Sequence, residues 1–598
     1  MPDQPDDVPP IAAVFLIKFD LKVGYTIAWK RSISEVTVDG GVEFKSLPSG
    51  LHNVKDDLVY FIQDDYAGIS AFVNRPAAES ERNAHLVAVG VLVPLNNSRL
   101  GRGWLHAEKL QELASAVADD TSKTAPLEKF WEQWRSDKGK QGASASKSPP
   151  GLDQRKSGHS RIRALSTLTI NVPAEQSLPK FHPSLSILKC LDVFGPLIFP
   201  LYRAALLRPR ILLIGSAPVR FPCEFAYDLS IISAISSTLH SSLPIESTPL
   251  YRLKPLFNVG VHDIPYLSRP RTGDANDIES ELGWIACTTD EILAMKPQLY
   301  DLLIELPPIT DDKPGSHPGR VRKWPKLKTS AGAEIKATRR DLRRYKALYS
   351  VLRPLLHPSS NSHLNEDGIS STAPIDQSTT SYTDDEDADT NNDHLPLLRH
   401  PNYVTKNPAA QTPAEEDSQL FSDLEKLTEP RSWTALAYSG FMWWAAAGEP
   451  DSSEEEEQRD AEDSVGELAD VVGRLVDEGM IGGGRGDAEK TRGLVETTIV
   501  ASFHRMTAGL VRVGAEVAGV HGERPDIGVE DGDDGEGEEA VEEELEAVDV
   551  DTEDLRRMGL DGWSPGDAEF AQRFLELYWG REVRVRTAGL ECCGVKIC

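Results

Sequence analysis

The segment that decides the fold is Ser184–Ser216, SLSILKCLDVFGPLIFPLYRAALLRPRILLIGS. It is the longest strongly apolar passage in a chain of 598 residues. A residue that precedes proline disfavours the helical conformation, so Gly195-Pro196 and Arg208-Pro209 predict element boundaries. These breaks predict a helix, a tight turn, a second helix and a buried strand, which together form the floor of an α/β domain.

The second predicted helix has one apolar face. Apolar residues recur there at positions i, i+3, i+4, i+7 and i+8, namely Ile198, Leu201, Tyr202, Ala205 and Leu206. This spacing predicts that Arg203 and Arg208 face solvent. The run Ile211–Ile214 follows, bounded by Pro209 and Gly215. It predicts a strand buried on both faces, as in a parallel or mixed sheet.

The residues before this segment alternate in the manner of an antiparallel sheet and then change to helical spacing. The chain over 11–135 is therefore predicted to be an α+β layer in which helices cover one face of a sheet. The predicted strands are Ile11–Phe19, Tyr25–Lys30, Leu58–Gln63, Gly68–Asn74 and His85–Val93, and the predicted helices are Trp104–Ala118 and Leu127–Trp134.

The central part of the chain, 164–310, alternates strand and helix signals and is predicted to be an α/β domain. Its other elements are a helix at Glu224–Leu239 and strands at Phe257–Val261, Trp284–Cys287 and Tyr300–Leu306. The fold class expected for the whole chain is thus multidomain, α+β and α/β, with a mainly helical C-terminal part.

Composition predicts the linkers and the C-terminal organisation. Segments rich in Gly, Ser, Pro or acidic residues with few large apolar residues are typical of disorder. The predicted divisions are a disordered N-terminus at 1–10, a basic flexible linker at 136–163, a basic segment and helix at 311–357, a disordered linker at 358–429, and a C-terminal domain at 430–598 with acidic disordered inserts at 449–463 and 526–554.

Charge and cysteine content exclude some function classes. The net charge of −30 argues against nonspecific nucleic-acid binding. Six cysteines are too sparse for a disulfide framework, and Cys190, Cys223 and Cys287 are predicted to be buried reduced thiols. Uncharged apolar runs all fall short of the roughly 20 residues of a membrane span. A cytoplasmic protein without a transmembrane segment is expected.

The sequence contains no recognisable catalytic constellation. GxSxG, HExxH and paired CxxC motifs are absent. The stretch GGGRGDAEKT at Gly482–Thr491 has Glu489 where a phosphate-binding loop needs glycine, and it is read as a linker. No catalytic residue, cofactor or metal is therefore predicted, and the role of Cys592, Cys593 and Cys598 is left open.

Two basic zones, Lys138–Arg163 and Arg320–Lys346, have two interpretations. They could contact anionic lipid, which would place the protein peripherally on intracellular membranes. They could equally neutralise the acidic segments of the same chain.

Three stretches resemble the DENN-domain LCHN (DENN-domain-containing protein 11) family: Ala13–Lys30, Gly41–Phe61 and Phe194–Gly215. The stretch Ser432–Glu449 (SWTALAYSGFMWWAAAGE) resembles the additional C-terminal domain of unknown function in fungal members. The resemblance implies a longin-like module over 11–135, followed by a central α/β DENN module.

The resemblance also implies a function. DENN proteins are typically guanine-nucleotide exchange factors for Rab-family GTPases, which act through an interface and need no covalent catalyst. The alternative is a trafficking scaffold or adaptor that has the same fold and no exchange activity. The predicted partner contacts are arginines near the domain junction, Arg203, Arg208 and Arg210.

Overall fold

The structure is a computed structural model, and it describes residues 8–20, 22–47, 50, 54–76, 84–95, 101–136, 178–244, 250–269, 283–309, 322–356, 413–430, 436, 452–477, 485–519, 547–586, 591–592 and 595–596. Nearly all of the linker predicted at 136–163 lies outside these residues. So do 357–412, which hold most of the predicted disordered linker, and Ser432–Ala447 apart from Leu436.

The first lobe, 11–136, is an antiparallel sheet covered by helices, as predicted. Leu110 and Val117 of the second helix pack on one face of the sheet with Leu127 of the third. The likeness of this lobe to longin modules stays a prediction. Its elements are β1 (Ala13–Asp20), β2 (Gly24–Ser32), α1 (Val42–Lys45), β3 (Asp56–Gln63), β4 (Tyr66–Pro76), β5 (Ala84–Pro94), α2 (Ala107–Ala118) and α3 (Ala125–Trp134).

The second lobe, 178–309, alternates helices and strands. Its elements are α4 (Ile187–Phe194), α5 (Ile198–Leu206), β6 (Ile211–Ile214), α6 (Arg220–Ile232), β7 (Lys254–Asn258), α7 (Ile264–Leu267), β8 (Trp284–Thr288), α8 (Glu291–Ala294) and β9 (Leu302–Glu305). The strands predicted at Trp284–Cys287 and Tyr300–Leu306 are confirmed as β8 and β9. The strand predicted at Phe257–Val261 and the helix predicted at Glu224–Leu239 both begin and end earlier, as β7 and α6.

Strand β6 is buried on both faces, as its sequence predicts. It lies between β8 and β9 and runs parallel to both. Ile211 and Leu213 contribute to the apolar cluster on one face of the sheet, and Leu212 contributes to the cluster on the other. A continuous apolar run is what a strand covered on both sides requires.

The predicted breaks in Ser184–Ser216 are also confirmed. Helix α4 ends at Phe194, and Gly195 has a φ of +56°, a conformation that favours glycine. A Cβ atom at this position would lie 2.8 Å from the Trp324 ring, so glycine also provides the space for close packing. At the next break Arg208 has a φ of +53°.

The two lobes and part of the basic segment form one mixed sheet of eleven strands, in the order β11-β10-β9-β6-β8-β7-β3-β4-β5-β1-β2. Among the described strands, the two lobes pair at one position, Phe61 on β3 and Phe257 on β7. The segment 311–357 was predicted to be a basic segment and a helix, and its strands were missed. It contributes β10 (Lys326–Thr329), β11 (Glu334–Ile335) and α9 (Arg339–Leu356).

The C-terminal part is mainly helical, as expected, with two small two-stranded sheets. Its elements are α10 (Pro413–Glu425), α11 (Ser452–Asp477), α12 (Arg485–Val517), β12 (Val548–Val550), α13 (Thr552–Arg557), α14 (Pro565–Trp579), β13 (Val583–Val585), β14 (Glu591–Cys592) and β15 (Val595–Lys596).

The prediction that the two acidic inserts are disordered is wrong for the parts that the structure describes. The insert predicted at 449–463 is helical from Ser452, because the apolar residues Ala461, Val465 and Leu468 share a buried face of α11. The insert predicted at 526–554 ends in β12 and the start of α13. The Asp551 carboxylate accepts the N–H groups of Glu553 and Asp554 and caps that helix.

Cys190, Cys223 and Cys287 are buried free thiols, as predicted. Cys592 lies in β14, and Cys593 and Cys598 fall outside the described residues. Among the described helices, the continuous helical stretch Pro183–Leu206 is long and apolar enough to cross a membrane, and 78% of that apolar window is buried inside the protein.

Substituting a core leucine tests this placement. Leu206→Asp and Leu213→Asp each bury an unpaired carboxylate at a side chain with no exposed surface. We expect each to lower the free energy of unfolding by more than about 4 kcal/mol and abolish cooperative unfolding. The control is Val23→Asp, whose side chain is exposed. Cooperative urea unfolding of Leu213→Asp with the wild-type midpoint would contradict the placement.

Candidate partner-binding surface

Arg203 is buried, and the prediction that it faces solvent is wrong. Its guanidinium donates two hydrogen bonds of 2.7 Å to the Asp341 carboxylate of α9. Its Nη2 atom also lies 3.0 Å from Oδ1 of Asp567 on α14. Helices α9 and α14 thus cover the Arg203 side of α5, and α12 packs on its apolar face, where the Thr507 hydroxyl lies 2.7 Å from that of Tyr202. Arg203 is not presented to a partner.

The Arg203 guanidinium therefore interacts with two buried carboxylates, those of Asp341 and Asp567. Burial raises the pKa of Asp341, but the charge and hydrogen bonds of Arg203 outweigh it and hold that pKa below its usual value. Burial raises the pKa of Asp567 to about 6 despite Arg203, and the neighbouring Asp341 charge adds to that increase. Of the two carboxyl groups, Asp341 is therefore the stronger acid and Asp567 the weaker one.

Arg208 is also buried, which corrects the second prediction of exposure. Its guanidinium donates to the backbone carbonyls of Ala205 and Ser233, at 2.8 and 2.9 Å, and to that of Leu250. Because the left-handed turn at Arg208 directs its side chain back over α5, it ties the end of this helix to the segments around α6. Its role is internal.

Arg210 is half-buried and pairs with Asp301, with 2.9 Å between Nη2 and Oδ1. The three predicted arginines thus lie in three separate networks and do not form a common site. A partner contact through Arg210 stays a prediction.

The basic helix α9 faces acidic residues of the C-terminal part. Arg340 lies 3.0 Å from Asp460 of α11, Arg343 pairs with Glu457 of the same helix, and Lys346 lies 3.7 Å from Glu425 of α10. These pairs support the interpretation that this basic zone neutralises acidic segments of its own chain. Contact of the basic zones with membranes stays a prediction.

A different surface has the character of a docking site. At the junction beside α1, Tyr25 contacts Phe44, and Phe44 contacts His262 of the second lobe. We group these residues with the exposed apolar side chains of the β1–β2 turn and of the segments that follow β7 and β8, and we call this set the inter-lobe surface. The first lobe contributes the β1–β2 turn and α1, and the second lobe contributes the segments after β7 and β8. Its members are Val23, Tyr25, Phe44, Val261, His262, Tyr266, Ile292 and Met295.

Ring contacts connect the two sides of this surface. The Phe44 ring of α1 stacks on His262 with 3.8 Å between ring centroids. Tyr25 packs edge-on against Phe44 at 6.4 Å. Burial, with a smaller contribution from the Asp290 charge of the second lobe, raises the pKa of Tyr25. The two lobes therefore present one surface.

The second-lobe side of the surface follows the carboxyl ends of the parallel strands β7 and β8, where open α/β sheets bind ligands. Leu267 of α7 and Leu293 of α8 anchor these short helices in the same apolar cluster. Their other sides face solvent, and Ile292 and Met295 are 55% and 73% exposed. A group of exposed large apolar side chains on rigid elements is typical of a protein-interaction site.

Sequence reasoning missed this surface. Its residues are scattered over four segments, each with only one or two apolar positions next to a turn. The available signal was that Ile292 lies beside Leu293 in a short helix directly after a buried strand, and that Met295 follows the end of this helix. Their exposure depends on packing between the lobes, which no local pattern reports.

Comparisons with known proteins agree with the earlier resemblance. Residues 14–314 match the family model described as DENN domain-containing protein 11, and residues 428–598 match a domain of unknown function, DUF4484. The zebrafish and Xenopus laevis proteins named DENN domain-containing protein 11 are 29% and 30% identical over 300 and 296 residues, which is 49% of this chain in each case.

The matches cover 53% and 59% of those two relatives, so the chain spans little more than half of their length. The Saccharomyces cerevisiae protein ANR2 is 27% identical over 381 residues, which is 57% of this chain and 65% of that protein.

Removing the buried guanidinium tests the Arg203 network. Arg203→Met removes the cation that is hydrogen-bonded to Asp341 and paired with Asp567, and we expect a loss of about 3–5 kcal/mol in the free energy of unfolding at neutral pH. Arg210→Met, which breaks a half-exposed pair, is the matched control and should cost about 1 kcal/mol. Equal losses in urea denaturation would show that Arg203 is not in the buried network.

The raised pKa of Asp567 predicts a dependence of stability on pH. The pKa of Asp567 in the folded chain, about 6, exceeds the value of about 3.9 in an unfolded chain. The contribution of its protonated carboxyl group to the free energy of unfolding is therefore complete below about pH 4 and is lost as the pH rises through 6. The difference in unfolding free energy between wild type and Asp567→Asn should therefore fall by about 2–3 kcal/mol between pH 4 and 7.5. Glu569→Gln, exposed on the same helix, should show no such change; a constant difference for Asp567→Asn would refute the assignment.

Proposed function

Because the chain belongs to the DENN domain-containing protein 11 family, we propose that it regulates membrane trafficking as a guanine-nucleotide exchange factor for a Rab-family GTPase. The proposal places the protein in the cytoplasm and peripherally on intracellular membranes, where such GTPases act.

The observation that carries the proposal is the inter-lobe surface. An exchange factor binds its GTPase more tightly as the nucleotide leaves, so it needs an extended surface and no covalent catalyst. Exposed apolar side chains on α7 and α8, anchored by buried leucines, supply such a surface with little ordering cost on binding. The ring contacts between Phe44 and His262 join the two lobes at this site.

Nucleotide release from a panel of purified Rab GTPases loaded with a fluorescent GDP analogue tests the proposal. We expect the full chain to accelerate release from at least one GTPase. Ile292→Asp and Met295→Asp place a charge where an apolar contact forms, and each should lower kcat/KM for exchange by about tenfold or more. Val476→Asp, an exposed apolar position on α11, is the matched control and should retain wild-type exchange.

Two results would decide against exchange activity. The proposal fails if every GTPase releases nucleotide at its spontaneous rate, with and without anionic liposomes. If a GTPase then binds with equal affinity in its nucleotide-bound and nucleotide-free forms, the protein is the non-catalytic scaffold or adaptor. Full activity of Met295→Asp and Ile292→Asp would instead move the exchange interface to another surface.

A further inference from the structure

We propose that the ion pair between Lys45 and Asp263 is a positioning element that holds the second-lobe side of the inter-lobe surface in register with the first lobe. The inference rests on the proposed function and adds to it a residue pair that determines how the GTPase is bound. Neither residue needs to contact the GTPase itself.

The pair is nearly buried between the lobes. The Lys45 Nζ atom lies 2.9 Å from Oδ1 of Asp263, and the two side chains are 15% and 11% exposed. Nζ also donates to the Ile62 carbonyl at 2.7 Å. The other carboxylate oxygen, Oδ2 of Asp263, accepts the Gly260 N–H at 2.9 Å and closes the turn Val261–Asp263. One carboxylate therefore both shapes the turn and attaches it to α1.

The main chain leaves this junction weakly connected. Phe61 and Phe257 form the single paired position between β3 and β7. The register of β7 against its other neighbour, β8, shifts between Pro255 and Phe257. Phe257 has a φ of +59°, which a bulky residue adopts only when its surroundings enforce it. Among the described strands, pairing therefore ties β7 to the first lobe at this one position.

Side chains add the connection that the strands lack. The Asn258 amide donates to the Lys45 carbonyl at 2.9 Å, and His262 stacks on Phe44, the neighbour of Lys45. A second tether, Asp57, accepts the N–H groups of Val219 and Arg220 at the start of α6 and does not reach this turn. The Lys45–Asp263 pair is thus the charged contact that fixes Val261 and His262 relative to the first lobe.

The test combines hydrogen exchange of the free full chain with nucleotide-exchange kinetics on a responsive Rab GTPase. Lys45→Met removes the charge and keeps the length of the side chain, and Lys45→Arg keeps the charge. Lys328→Met, on β10, breaks a pair with Glu305 of β9, far along the sheet, and is the matched control. Thermal unfolding of all variants reports any general loss of stability.

We expect amide exchange of peptides covering 258–267 to accelerate about tenfold in Lys45→Met. The KM for the GTPase should rise by a similar factor while kcat changes less than threefold. The contact residues are unchanged in this variant, but the binding-competent arrangement of the surface is less populated. Lys45→Arg and Lys328→Met should match wild type in both measurements.

Unchanged amide exchange in Lys45→Met, or unchanged kinetics despite faster amide exchange, would overturn the positioning role while leaving the exchange activity in place. If wild-type protein accelerates no GTPase, the proposed function itself fails and the positioning role fails with it. The wild-type rate therefore separates the two failures.

Discussion

The structure depends on the burial of one guanidinium. Arg203 lies on the helix that forms the floor of the second lobe, and removing its charge from water is costly without compensation. The compensation comes from Asp341 and Asp567, on helices far away in the sequence. Helices α5, α9 and α14 must therefore pack together for any of the three charges to be accommodated. This requirement couples the second lobe, the basic helix and the C-terminal helix in one cooperative unit.

The same interface explains why the C-terminal region is not a separate body. The Tyr578 hydroxyl donates to the Leu206 carbonyl at 2.9 Å, and Phe503 of α12 packs against Tyr202. The segments matched by the two family models thus share one apolar cluster across α5. Acidic residues of α11 contribute by pairing with the basic side of α9, which removes charge repulsion within both helices. Ion pairs within the chain therefore neutralise part of its uneven charge.

The sequence could predict those structural features that depend on neighbouring residues. Breaks at Gly195 and Arg208 and the double burial of Ile211–Ile214 depend on neighbouring residues, and these predictions are confirmed. The exposure of Arg203 depends on acids more than a hundred positions away, so helical spacing assigned it to solvent. The predicted disorder of the insert at 449–463 is wrong from Ser452 onward, because its acidic composition concealed a helical apolar period that becomes evident with α9 as its partner.

The inter-lobe surface could not be predicted from the sequence, because no repeating pattern marks it. A buried apolar face has a period, whereas an exposed one is defined by the absence of a covering element and leaves no repeat in the sequence. Ile292 and Met295 are exposed because α8 is too short to bury more than Leu293. A short helix anchored by one leucine exposes its apolar flanks at small conformational cost, because its buried side already fixes the backbone.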